Sequence, residues 1–356
     1  MFLSSIFWVT SLPISPIYFL FFLGLFVVFI FSKSSKIIFT FNVYSIIILY
    51  IIYLLSTQFY LNAKISPLFN QIFSLTYFII IYFSFYHSSV IQIKHTSIIL
   101  MSCSLPLLFF EAYYRITNPI YDAGNNIDYR DTDTPFYAYK LNSILNQDSN
   151  YVSVLVLILL LYSIFLSRFY KNGLTIFKII FSILLIITLS RAAILVLILT
   201  VFYLSVRHLL KYRLIKSILL LIVILILYNF VQFAINDLST QIKIASIFKS
   251  YSQVIEANAI TKLIGVGIGN SADTLGGVSA HNIIEALILE QGLIGFILFI
   301  FVQIKIDQLS NGTTRIIMIP FLFLSMSFFV YAITYYYAIL ALICLIYYKK
   351  NHFEKV

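Results

Sequence analysis

Charge is the scarcest commodity in this chain. Asp, Glu, Lys and Arg make up 10% of its 356 residues, where a soluble domain carries about 25%. Cysteine is nearly missing as well. The two present, Cys103 and Cys344, lie inside apolar runs, which excludes a disulfide framework and a cysteine metal site. The five histidines come without a His-Glu-x-x-His run and without cysteine partners, so no metal and no cofactor is expected. The opening residues hold neither a basic stretch nor an Ala-x-Ala-like site, and no cleaved signal peptide is expected from them. No repeat of fixed period is evident.

Apolar residues fill the space. They make up 61% of the chain, and the mean hydropathy is +1.00. No soluble core of this size absorbs so much apolar surface, so the fold class is an all-α, polytopic integral membrane protein in contact with membrane lipid. The net charge of +10 would suggest nucleic acid in a soluble protein. Here the basic residues sit in short segments between apolar runs, where they set topology instead. No nucleic-acid partner is expected.

A membrane helix needs about 20 apolar residues. Runs of that kind occupy 8–31, 37–55, 69–86, 96–114, 151–167, 217–235 and 282–304. Two further stretches, 175–206 and 316–348, are too long for one helix, and each reads as a pair. Basic clusters decide this. Arg168, Lys171 and Lys178 precede the first stretch, and Arg207, Lys211, Arg213 and Lys216 follow it. Both clusters belong in the cytoplasm, so an even number of crossings separates them. The same rule folds 316–348 back between Arg315 and Lys349-Lys350. About eleven helices result, within a range of ten to twelve. Pro13 and Pro16 could split the first run and reverse the N-terminus. Of the 23 Lys and Arg, eight fall outside (Lys64, Arg115, Arg130, Lys140, Arg191, Lys243, Lys249, Lys262) and the other fifteen inside, where Asp307 and Glu354 are the acids. The bundle reads as one transmembrane domain spanning 1–356, with two long extracytoplasmic loops at 111–150 and 236–280. Both mix aromatic and polar residues and read as ordered lids.

The residues with chemistry gather at the outer end. Arg191, after Ser190, falls in the turn of the 175–206 pair, where a guanidinium suits bidentate contact with phosphate. It could equally be a snorkelling interfacial arginine. His281 opens the 282–304 helix. A neutral imidazole there can take a proton from a hydroxyl near pH 7, or simply cap the helix. Asn282 can hold a hydroxyl or sugar group. Glu285, four residues on, shares the face of His281 and can orient it. Glu290 lies deeper on another face and points to pairing with a different helix. Arg115 offers a second phosphate contact, or an ion pair with Glu111 at i, i+4. Tyr113, Tyr114, Tyr121 and Tyr129 suit sugar stacking or the membrane interface. Arg130 reads as a solvated loop charge. The run Gly265-Val266-Gly267-Ile268-Gly269-Asn270 lacks the Lys-Ser/Thr of a phosphate loop. It reads as a flexible approach to the His281 helix whose N–H groups could also cradle an anion.

In these residues the chain resembles the O-antigen polymerase and O-antigen ligase family of bacterial envelopes. The ligase-type pattern is His followed by Asn, Ser or Gln, nine residues, Gly, two residues, then Gly, Thr or Tyr. His281-Asn282 through Gly292 and Gly295 fits every fixed position. A Ser-Arg pair opening a membrane helix matches Ser190-Arg191, and a large outer loop leading through Gly-x-Gly matches 236–280. The likeness covers about 190–300 well, and the N-terminal half mainly in hydropathy and around Arg115. Such proteins often carry an arginine early in the large loop. This chain has none there, and Lys243, Lys249 or Lys262 would have to substitute, without the bidentate fork.

The resemblance implies a fold similar to lipid-linked glycosyltransferases and a metal-independent, inverting transfer at the periplasmic face of the bacterial inner membrane. It implies an undecaprenyl-pyrophosphate-linked oligosaccharide as donor and a chain-length regulator protein as a further partner. His281 and Arg191 would be catalytic, and Arg115, Asn282, Glu285, Glu290, Lys249 and Lys262 would bind substrate. A polymerase of surface polysaccharide is the reading favoured over its closest rival, a ligase acting on lipid A-core. A lipid-linked sugar flippase would need polar groups spread through both halves of the bundle, whereas the candidates here gather at one end.

Overall fold

A computed structural model describes residues 5, 16–31, 41–121, 135–145, 148–170, 174–206, 238–277, 280–328 and 332–353. They form thirteen α-helices in chain order and no strand. These are α1 (Pro16–Phe31), α2 (Phe41–Tyr60), α3 (Ile65–Phe85), α4 (Val90–Thr117), α5 (Ser149–Ser167), α6 (Thr175–Ile187), α7 (Arg191–Val206), α8 (Leu238–Glu256), α9 (Ala259–Ile264), α10 (Ser271–Thr274), α11 (Ile283–Leu309), α12 (Arg315–Ser325) and α13 (Thr334–Phe353). A 3-10 turn, Pro135–Tyr139, lies between α4 and α5.

The chain is an all-helical membrane protein. Five helices, α2, α3, α4, α5 and α11, are long and apolar enough to cross a bilayer. The count of about eleven spans goes beyond these five. The runs expected to pair do break, α6 from α7 and α12 from α13. Yet at 13 residues α6 is about 20 Å long, short of the ~30 Å hydrocarbon core. The run 217–235, the 207–216 basic cluster, the start of the 8–31 run with Pro13, and Arg130 with Asp122, Asp128, Asp131, Asp133 and Tyr129 lie outside the described residues.

Helix α5 sits at the centre. It is apolar all round and buried along nearly its whole length, the signature of a helix enclosed by others. The stretch Tyr335–Ile346 of α13 is likewise buried and packs along α3. The outer helices show the opposite distribution. On α6, Phe177, Phe181 and Leu184 turn inward while Ile176, Ile179, Ile183 and Ile186 face out. A helix apolar on both faces is at ease only where its surroundings are apolar too. Local signals set the ends. Ser89 and Gln92 form a reciprocal capping box at the start of α4, and Asp148 accepts from the Asn150 amide at the start of α5, each satisfying N–H groups that a helix leaves orphaned.

Much of the stretch 236–280 is helical, in α8, α9 and α10. Its glycines have a definite task. Helix α11 is not continuous, because Gly292 adopts φ 68, ψ −176, which breaks the helix at that residue. The segment Leu263–Gly267 crosses the break. Val266 N–H donates to Leu289 O at 2.9 Å and Gly267 N–H to Glu290 O at 3.0 Å, replacing the helical donors that the break removes. The two backbones touch directly. A side chain at Gly265 would run into the carbonyl of Glu290, and one at Gly292 into the carbonyl of Leu263. Behind the break, Gln291 is fixed by Tyr50 Oη (2.6 Å), by Gln71 (2.9 Å), and through its carbonyl by Tyr53 Oη (2.5 Å). Gly295 keeps α11 close to Tyr53.

This close crossing predicts an ordered pair of effects. Gly292→Ala should lower the apparent melting temperature in detergent by far more than Gly277→Ala. Both glycines have positive φ, but a methyl at Gly277 meets open space. Positive φ strains a side chain at either position by about 1–3 kcal/mol, so equal shifts in thermal unfolding would mean that the crossing contributes nothing.

Candidate functional site at one end of the bundle

Contacts between helix ends show which groups share an end. The end of α2 and the start of α3 meet the segment before α11, since Ile268 N–H donates to Gln58 Oε1 (2.7 Å) and Lys64 N–H to Ile268 O (2.9 Å). At the far end of α3, Tyr86 O accepts from Lys349 Nζ near the end of α13 (2.6 Å), so α13 runs parallel to α3. Phe328, just before α13, packs on Tyr151 at the start of α5. The start of α5 in turn meets the α6–α7 corner, where Ser149 Oγ donates to Thr188 O (2.8 Å). Arg115, Arg191 and His281 therefore occupy the same end of the bundle. They fall in two clusters there, and the side chains named below for one are not those named for the other.

The first cluster is built around Arg115. The end of α6 leaves carbonyls without helical donors, and Leu189 turns the chain with φ 56. Arg115 is fully buried. Its Nη2 donates to Ile187 O (2.8 Å), its Nη1 to Tyr139 O (2.6 Å), and its Nε to Glu111 Oε1 (3.0 Å). A cation at a helix C-terminus is well placed electrostatically. Every nitrogen of this guanidinium thus has an acceptor within the fold. Arg115 ties the 3-10 turn to the α6–α7 corner instead of facing open solvent. The turn carries Tyr137, whose hydroxyl accepts from Arg191 Nη2 at 2.5 Å. The Arg191 guanidinium lies 5.8 Å from that ring, and Lys140 Nζ lies 5.1 Å from it. Arg191, the first residue of α7, is half-buried. Tyr113 is exposed, and Tyr121 and Tyr139 meet edge to face.

The second cluster is built around Glu285. Asn282 caps α11, its Oδ1 accepting from the Glu285 amide at 2.8 Å. The Glu285 carboxylate accepts in return from Asn282 Nδ2 (3.1 Å) and from the backbone N–H of His281 (3.1 Å). Its other oxygen accepts from Ser246 Oγ (2.7 Å) and from Ser250 Oγ, both on α8. Glu285 and Asn282 are buried and spent on the joint between α8 and α11, so Glu285 grips the backbone of His281 and not its ring. His281 is half-buried. Burial, then the positive charge of Lys243, push its pKa below the ordinary histidine value, with Glu285 pulling the other way. The imidazole is accordingly neutral at pH 7 and able to accept a proton.

The remaining expected residues are scattered. Glu290 is fully buried at the break in α11. Lys249 donates from Nζ to Leu275 O. Lys262 is exposed and lines a cavity of about 250 Å³ between α8, α9 and α11, with Gln253, Glu256, Asn258, Thr261 and Thr274 as its other polar lining. Lys64 pairs with Asp273 at 3.0 Å on the surface. Among the described residues, no group of three His, Cys, Asp or Glu side chains is placed to hold a metal ion. The structural parts of Tyr137, Ser246 and Ser250 were not singled out from the sequence. Serines four apart on one helix face were the available signal for the last two.

No family model matches the chain, and a search of curated proteins finds no relative.

Removing the central guanidinium should be costly. Arg115→Ala leaves the Glu111 carboxylate buried without its cation, a loss of about 3–5 kcal/mol for a pair of this kind. Thermal unfolding in detergent should show a large drop for Arg115→Ala and a partial recovery in the double variant Glu111→Gln/Arg115→Ala. No recovery would mean that the carboxylate is not what the arginine neutralises.

Proposed function

We propose that the chain is a glycosyltransferase that polymerises a surface polysaccharide, using a glycan on undecaprenyl pyrophosphate as donor and a sugar hydroxyl of a lipid-linked repeat unit as acceptor. The observation that carries this reading is a half-buried imidazole at the mouth of a long apolar helix, on the same end of the bundle as the Arg191 guanidinium, with burial favouring its neutral form. A site for this transfer needs a base for the acceptor hydroxyl and a cation for the departing diphosphate.

In the reaction, the acceptor oxygen attacks the anomeric carbon of the donor from the face opposite the diphosphate. The bond from that carbon to the diphosphate oxygen breaks, and undecaprenyl pyrophosphate leaves with the electron pair. His281 takes the hydroxyl proton. Arg191, steadied by Tyr137, balances the charge that develops on the leaving group. Arg115 acts as a positioning residue, through the turn that carries Tyr137. In this reading the short helices cross as the pairs α6–α7 and α12–α13, which brings the total to about eleven crossings. The end holding His281 then faces the periplasm of the inner membrane. The cationic opposite end supports that orientation, with Lys94, Arg168, Lys178, Lys305, Arg315, Lys349 and Lys350 there and Asp307 as an acid bound to Arg315 at 2.8 Å.

Three results are expected. His281→Ala should lower polymer formation by about 10²-fold or more, the usual worth of a general base, with membrane insertion unchanged. Arg191→Lys should also impair it, because a lysine keeps the charge and loses the fork. For the native protein, transfer should be constant above neutrality and fall as pH drops through the lowered pKa of His281, since the base form is the active one. Polymer of unaltered length from both variants, read on gels of extracted glycan, would refute the assignment.

A further inference from the structure

Helix α8 carries its polarity the wrong way round for a lid in water. Ile244, Ile247, Phe248, Tyr251 and Ile255 recur at helical spacing on one face, and all are exposed, Phe248 by 70% and Tyr251 by 66%. The stripe continues onto α9 with Ile260 (65%) and Leu263. The inward face holds Ser246 and Ser250, bonded to Glu285, and the polar lining of the cavity. A helix washed by water turns its apolar stripe toward the protein. This one turns it away.

Its contacts also fix its depth. Ser246 and Ser250 meet Glu285, Gln253 and Ala257 share the cavity with Ile288 and Leu289, and the Leu263 carbonyl abuts Gly292. The segment therefore descends beside α11 from its first turn to its break. Ile283 to Gly292 is about 13 Å of helix at 1.5 Å per residue. Gln291, next to the break, is bonded to Tyr53, seven residues inside the end of the spanning stretch Val43–Tyr60 of α2, or about 10 Å. The chain then climbs back, since Ile268 meets Gln58 and Lys64 near the helix ends.

We propose that α8 and α9, with the return segment 265–268, form a re-entrant loop seated in the outer part of the bilayer, with the stripe from Ile244 to Leu263 covered by lipid acyl chains. Lipid is the fitting occupant because the stripe is continuous with a lipid-facing surface. Leu263 lies against the break, and just beyond it Leu293, Ile294, Ile297 and Phe301 of the spanning helix α11 are exposed. Backbone at such a depth has to find its partners inside the protein. The amides of Val266 and Gly267 do so, on Leu289 and Glu290. The re-entrant loop places a polar cavity directly behind a lipid-facing wall. The proposal is independent of the catalytic reading.

Spin labels test it on the full chain in lipid nanodiscs. Single cysteines at 248, 251, 260 and 263, in a background carrying Cys103→Ser and Cys344→Ala, are compared with 293 as the lipid reference and 277 as the water reference. Collision with nickel-EDDA should be several-fold lower at 248, 251, 260 and 263 than at 277 and close to that at 293, while oxygen collision stays high. Nickel access equal to that at 277 would overturn the proposal. So would low access to both reagents, which means cover by protein. Should labelling disturb the fold, the variant Trp8→Phe/Tyr251→Trp gives a second measure. Its fluorescence should be quenched by brominated lipid, and an unquenched signal would overturn the proposal equally.

Discussion

Two backbones cross without side chains between them where Leu263–Gly267 meets the break at Gly292, and much of this end of the bundle is arranged around that crossing. A broken helix in an apolar setting leaves carbonyls with no water to bind, and each costs several kcal/mol if left unpaired. The amides of Val266 and Gly267 remove that cost for Leu289 and Glu290. They reach them because Gly265 and Gly292 have no side chain in the way. The crossing draws α9 against α11 and sets the height at which α8 runs. It also fixes where Gln58 and Lys64, at the ends of α2 and α3, take up Ile268.

The same logic of occupied orphan groups builds the two polar clusters. Arg115 takes the last carbonyl of α6 and the carbonyl of Tyr139, so the turn bearing Tyr137 and the helix bearing Arg191 are held to one corner. Glu285 takes two serines of α8 and the entry of its own helix. In each case a buried charge with a full set of partners does the fixing, and a less buried neighbour, Arg191 or His281, is left at the edge. Fully satisfied charges rigidify their surroundings. Half-exposed ones are the groups a ligand can reach.

Some of this was legible in the residues alone. The apolar runs announced a helical membrane protein, and the basic clusters around 175–206 announced the break that leaves Arg191 opening α7. The Arg115–Glu111 pair was visible in its i, i+4 spacing. Glu285 was read as sharing a helix face with His281, but His281 lies ahead of the Asn282 cap and is met through its backbone; the other partners of Glu285 were not visible, because Ser246 and Ser250 lie more than thirty residues away and only packing brings them together. Asn282 looked like a ligand group and serves as a helix cap, a role that short-range pattern also allows. The polar stretch 236–280 read as a lid because its composition is mixed. Composition does not say which face of a helix meets protein and which meets lipid.

Hydropathy and charge are sums over neighbours in sequence, so the chain by itself determined what such sums control: residence in a membrane, helical class, and the gathering of titratable groups near certain helix ends. The tertiary structure alone decided which of those groups are spent and which stand at the surface. A hydrogen bond belongs to a pair, and the partners of Arg115, Glu285 and the broken helix come from segments that meet only once the bundle has packed.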